Sequence, residues 1–119
     1  MADTPDRFQL VLTTTDSEAL GEKIARELVE RRLAACVNLV GPVQSVYRWE
    51  GKIVRSEERL LIVKTSADRF QEVASAIREL HTYDVPEVLA LPLADGDERY
   101  LSWLGGCLRD EDEPDPAAG

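Results

Sequence analysis

The chain has 119 residues, 44% hydrophobic and 31% charged, which is the length and mixture of one domain able to bury a core of its own. Its net charge of −9, with 23 acidic against 14 basic residues, repels nucleic acid phosphates and anionic lipid headgroups, and draws cations only diffusely. No stretch approaches the roughly 20 consecutive apolar residues of a membrane span, and residues 1–7 lack the basic-then-apolar order of a secretory leader, so a cytoplasmic protein is expected.

Phe8-Gln9-Leu10-Val11-Leu12-Thr13 predicts a first strand. Thr15 and Glu18 stand at capping-box spacing, and Leu20, Ile24 and Leu28 recur every four residues among charges, so a helix is expected to end near Arg32. Ala34 to Val40 reads as the second strand. Gly41-Pro42 bends or bulges it, because proline cannot donate to a ladder, and extended chain resumes from Val43 to Trp49. Glu50-Gly51 is a tight-turn pair, and a third strand follows from Lys52 to Thr65, making a long hairpin for so short a chain. Ser66 or Asp68 is the expected cap of a second helix, whose apolar stripe is Phe70, Val73, Ala74, Ile77 and Leu80. A loop over 81–86, a fourth strand over 87–92 and a short helix over 97–108 complete the order. From Arg109 onward the chain is acidic, proline-bearing and without periodicity, which predicts a disordered tail beside a disordered segment at 1–7.

Strand-helix-strand occurs twice, and Leu10 to Thr14 matches Leu61 to Thr65 in pattern, so the expected fold is α+β: a ferredoxin-like split βαβ sandwich over residues 8–108. The right-handed crossover rule puts both long helices on one face of the sheet. The other face should then be polar. Instead Leu10-Val11-Leu12, Val37 to Val40, Leu60 to Val63 and Val88 to Leu91 are apolar at successive positions, hence on both faces. Leaving two or three such residues per strand in water forgoes about 1.5–3 kcal/mol each. A second copy of the chain is the simplest cover, with the hairpin as the arm that reaches it.

Four segments then resemble one known family. Glu30-Arg31-Arg32-Leu33-Ala34-Ala35-Cys36-Val37-Asn38 is similar to the "ERLAACVN" signature of the divalent-cation-tolerance CutA family. Ser45-Val46-Tyr47-Arg48-Trp49-Glu50-Gly51-Lys52-Ile53 resembles its "S-x-Y-x-W-E-G-K" hairpin. His81 to Glu87 resembles "H-P-Y-x-x-P-E", and Tyr100-Leu101-Ser102-Trp103 resembles "Y-L-x-W". The four stand in the family's order across about residues 8–108. The resemblance implies a ferredoxin-like subunit in a tight homotrimer, with architecture shared with PII-type signal proteins, whose ligands bind in clefts between subunits. It implies tolerance to divalent cations, copper especially, with no enzymatic activity and no required cofactor. In some bacterial members copper is held by a cysteine ending the first strand and histidines ending the second helix. Here Thr13 stands in the cysteine's place, Leu80 precedes the single histidine, and Thr82 replaces the usual proline, so only His81 carries over.

Read from the residues alone, His81 is either a ligand for copper or another divalent ion through its neutral imidazole, or a helix C-terminal histidine favoured as a cation by the dipole. Cys36 has apolar neighbours and no adjacent cation to stabilise a thiolate, so it reads as buried and inert, and Cys107 as structural. Two distant cysteines and one histidine exclude a disulfide framework and an intrasubunit zinc centre of several imidazoles. Tyr47, Trp49, Glu50 and Lys52 cluster at the hairpin, and Tyr83 and Glu87 flank Pro86. These six are the candidate lining of a small-molecule cleft, with subunit packing as the alternative for the hairpin and plain solvation for the loop acid. Glu22, Glu27, Glu57 and Glu58 read as solvated faces, and Asp95-Gly96-Asp97 as a turn opening the last helix.

Two functions follow: a homotrimer of divalent-metal tolerance with weak metal binding, or a PII-like protein taking a small molecule in an inter-subunit cleft. No nucleophile–base pair is visible, so an enzyme is not expected. The aromatic-basic pattern of RNA-recognition domains is missing as well.

Overall fold

A computed structural model of the chain describes residues 7–109. The terminal segments expected at 1–7 and 109–119 lie almost wholly outside the described residues. Four strands and three helices follow the expected order: β1 Phe8–Thr15, α1 Glu18–Glu30, β2 Cys36–Trp49, β3 Lys52–Ser66, α2 Phe70–Leu80, β4 Leu89–Pro92 and α3 Glu98–Cys107. The sheet runs β2-β3-β1-β4 with every neighbouring pair antiparallel, the ferredoxin-like arrangement. Among the described residues no helix is long and apolar enough to cross a membrane.

The pleat assigns residues to faces. Val11 pairs with Val63, and Val63 with Val37, so these three point the same way, and Leu61 with them. Both α1 and α2 lie on that side. Ile24 and Leu28 of α1 and Val73, Ala76 and Ile77 of α2 bury against Val11, Leu61 and Val63, forming the main core. Gly21 of α1 faces the sheet: a Cβ there would stand 3.4–3.5 Å from Thr15, Leu39 and Leu61 side chains.

Helix ends show where local chemistry overrode the expected caps. Ser17, not Thr15, caps α1, its Oγ accepting from the Leu20 amide at 3.1 Å. Thr15 stays in the strand, fully buried, and its hydroxyl accepts from the Ser17 amide. The helix stops two residues earlier than expected. Arg32 adopts φ 57°, the Leu33 amide bonds back to Leu28 and the Arg32 amide to Val29, a Schellman closure with an arginine in the usual glycine place. That turn drives Leu33 and Ala34 into the core, so β2 begins at Cys36 rather than Ala34. Neither Ser66 nor Asp68 caps α2 by its side chain. The Ser66 hydroxyl donates to the Asp68 carboxylate, and a 3-10 turn, Ala67–Arg69, leads into the helix.

The hairpin matches expectation closely. β2 and β3, of 14 and 15 residues, stay paired from Cys36–Lys64 out to Trp49–Lys52, with one register shift between Val40 and Val43 at Gly41-Pro42. Glu50 and Gly51 close it with φ 49° and 77°, a two-residue turn whose twist suits the strands. This arm stretches the molecule to 50 × 27 × 24 Å.

The second face of the sheet carries Phe8, Leu10, Leu12, Leu60, Ile62, Leu89 and Leu91 by the same register. Helix α3, capped by Asp97, packs Leu101, Leu104 and Leu108 onto Phe8 and covers only that end. Beyond it Leu89 is 55% exposed and Leu91 46%. β4 starts at Leu89, two residues later than expected, and Val88 just before it packs on the main core.

Candidate functional site

A hollow of about 570 Å³ opens on this second face, where the hairpin leaves the body of the sheet. Its floor is Thr14 at the end of β1 and Glu58 in β3. One wall is Ser45, Val46, Tyr47 and Trp49 of β2, and the other is Tyr83, Asp84, Val85 and Glu87 of the loop after α2. Strand period explains the wall: Ser45, Tyr47 and Trp49 alternate with outward residues, and their partners Ser56, Val54 and Lys52 share β3's pleat with Glu58.

Of the six residues expected in a cleft, Tyr47, Trp49, Tyr83 and Glu87 line it together. Glu50 and Lys52 do not. They sit at the turn itself, one step beyond the hollow, both exposed. Glu58, expected as a solvated acid, lines the hollow as well. It is only 7% exposed, and its Oε2 accepts a hydrogen bond from the Tyr83 hydroxyl at 2.7 Å. The signal available was its period: Glu58 shares a face with Leu60 and Ile62. Burial, then the bond to Glu58 and the charge beside it, push the Tyr83 phenol well above the ordinary tyrosine range, so it donates and stays neutral.

His81, the residue singled out as a metal ligand, stands just behind this wall, its ring tilted against Tyr83 at 4.4 Å between centroids. The Tyr83 amide donates to Nδ1 at 3.0 Å, which makes Nδ1 the bare nitrogen and leaves the proton on Nε2. Nε2–H then donates to the Thr14 carbonyl at 2.7 Å. The imidazole thereby pins the loop to the end of β1, and a metal ion would reach either nitrogen only by displacing one of these bonds. Thr13, next along β1, points into the main core, fully buried with its Oγ1 unpartnered. Among the described residues no group of three or more His, Cys, Asp or Glu side chains is arranged to hold a metal. Cys36 and Cys107 are both half-buried; Cys36 is less enclosed than expected.

The model of the CutA1 divalent ion tolerance proteins matches residues 9–106. The chain belongs to the CutA1 family. The divalent-cation tolerance protein CutA of Thermus thermophilus is 48% identical over 96 residues, covering 81% of this chain and 93% of that one. A chloroplastic CutA protein of Arabidopsis thaliana is 42% identical over 84% of this chain, which spans 55% of that longer protein. The crystal structure of CutA1 from Oryza sativa superposes with a TM-score of 0.85 at 38% identity, covering 88% of this chain and 96% of that one. Two of the four segments that resemble the CutA family meet at the hollow. The hairpin motif supplies one wall of the hollow and the His81–Glu87 motif the other, while the segment around Cys36 begins β2 at the opposite end of the same strand.

Proposed function

We propose that this chain acts as a non-enzymatic homotrimer in divalent-cation tolerance, with copper as the leading ion, in the cytoplasm. Membership of a family described by tolerance to divalent ions is the observation that carries the role. The uncovered apolar face supports the assembly, since Leu89, Leu91 and Val40 stand in water on a lone subunit and lie beside half-buried Leu10, Leu12, Leu60 and Ile62. Metal binding in this reading is weak. His81 is the one imidazole, and it must trade a hydrogen bond for a metal bond or act beside its copies from other subunits.

Light scattering on the purified chain is expected to give the mass of a trimer. Copper is expected to raise the melting temperature of the parent protein more than that of His81→Ala. The comparison is between shifts with and without metal, because the substitution also removes two hydrogen bonds. Equal shifts in both proteins would remove His81 from the metal role.

A further inference from the structure

We propose that the hollow between the hairpin and the 81–87 loop is a binding site for a small organic cation, an amine or quaternary ammonium compound. This goes beyond the divalent-ion reading and does not rest on it.

The hollow unites two features that serve such a ligand and lacks the one that would oppose it. Tyr47, Trp49 and Tyr83 present aromatic rings, whose electron-rich faces attract cations that shed their water easily. Glu58, Asp84 and Glu87 place carboxylates on the floor and outer wall, and among the described residues no lysine, arginine or histidine lines the space. A carboxylate more than nine-tenths buried normally has a cationic partner, because its lost hydration is otherwise poorly replaced. Among the described residues the partner of Glu58 is the neutral Tyr83 hydroxyl, while nearby Arg59 bonds away from it to Glu18 and Glu57. The hollow therefore holds a desolvated negative charge beside aromatic faces with no positive charge of its own.

A bare metal ion fits less well. A divalent ion needs several oxygen ligands converging at about 2.0–2.6 Å, and no such group of three occurs among the described residues. An ammonium group makes no such demand. Its charge lies against Glu58 while its carbon substituents rest on Trp49 and Tyr47, and about 570 Å³ admits a compound of that size.

The test uses the full-length protein as purified, with binding followed by tryptophan fluorescence, since Trp49 lines the hollow. Choline is titrated against its neutral isostere 3,3-dimethylbutan-1-ol, at ionic strength held constant with sodium chloride. Choline is expected to give a saturable change and the alcohol none. Glu58→Gln keeps an acceptor for Tyr83 while removing the charge, and it is expected to weaken choline at least about tenfold, as is Trp49→Leu read by calorimetry. Circular dichroism and light scattering establish that both variants retain fold and assembly. If either does not, Asp84→Asn, on an exposed loop position, is expected to weaken choline in the same direction. Equal binding of alcohol and ammonium, undiminished binding in the variants, or no saturable response to choline or to putrescine would overturn the proposal. The last result is also what a hollow filled by a basic side chain of a second copy would give. None of these outcomes bears on the copper-dependent melting shift, which tests the tolerance role separately.

Discussion

Tyr83 and His81 show how single side chains set the chemistry of this region. The Tyr83 phenol holds its proton more tightly in the folded chain than in the unfolded one, chiefly through burial and then through Glu58. The folded state therefore binds the extra proton once the pH passes the ordinary tyrosine value of about 10. The stability this phenol lends is complete below that pH and declines as the pH climbs beyond it. Spectrophotometric titration is expected to show a late phenolate phase that Tyr83→Phe deletes and that Glu58→Gln moves to lower pH. The alkaline fall in melting temperature should be shallower in Tyr83→Phe than in the parent. His81 does structural work whether or not it meets a metal. His81→Ala leaves the Thr14 carbonyl and Tyr83 amide without their partner, a loss expected to cost about 1–3 kcal/mol in denaturant unfolding without metal.

At the scale of elements, α1 offers two opposed expectations. Its cap is Ser17, and Ser17→Ala, which strands the Leu20 amide, is expected to lower stability by about 1 kcal/mol. Gly21 costs the helix conformational entropy, yet the space above it is not closed: a methyl would make ordinary contacts at 3.4–3.5 Å with Thr15, Leu39 and Leu61. Gly21→Ala is accordingly expected to stabilise the protein by about 0.5–1 kcal/mol by the same unfolding measurement. A loss instead would mean that the helix and sheet cannot separate by even a few tenths of an ångström. The hairpin is held by pairing along its length and by a turn that Glu50 and Gly51 enter with positive φ, a conformation glycine adopts freely and glutamate does not.

For the molecule as a whole, the second face of the sheet is the unfinished part. Helix α3 closes the Phe8 end, and the hollow occupies the hairpin end. Between them an apolar band runs through Leu12, Ile62, Leu89 and Leu91. Leu89→Asp and Leu91→Asp place a charge where a lone subunit is already half exposed, so the subunit itself should tolerate them. An interface would not. Both variants are expected to elute as smaller species than the parent in size-exclusion chromatography with light scattering. Unchanged mass in both would take this band out of the assembly.

The amino-acid sequence by itself determined the element order, the fold class, the bulge at Gly41-Pro42 and the turn at Glu50-Gly51, because these follow from period, from proline's missing donor and from backbone sterics, all local in the chain. It also marked the second face as too apolar for water, since alternation is visible without coordinates. Only the tertiary structure decided which acids matter. Glu57 and Glu58 are adjacent in sequence and alike in chemistry, yet the pleat exposes one and buries the other beneath Tyr83. It likewise decided that His81 spends both ring nitrogens on backbone groups, one of them 67 residues away. Such pairings arise from how strands and loops meet in space, and no local pattern encodes them.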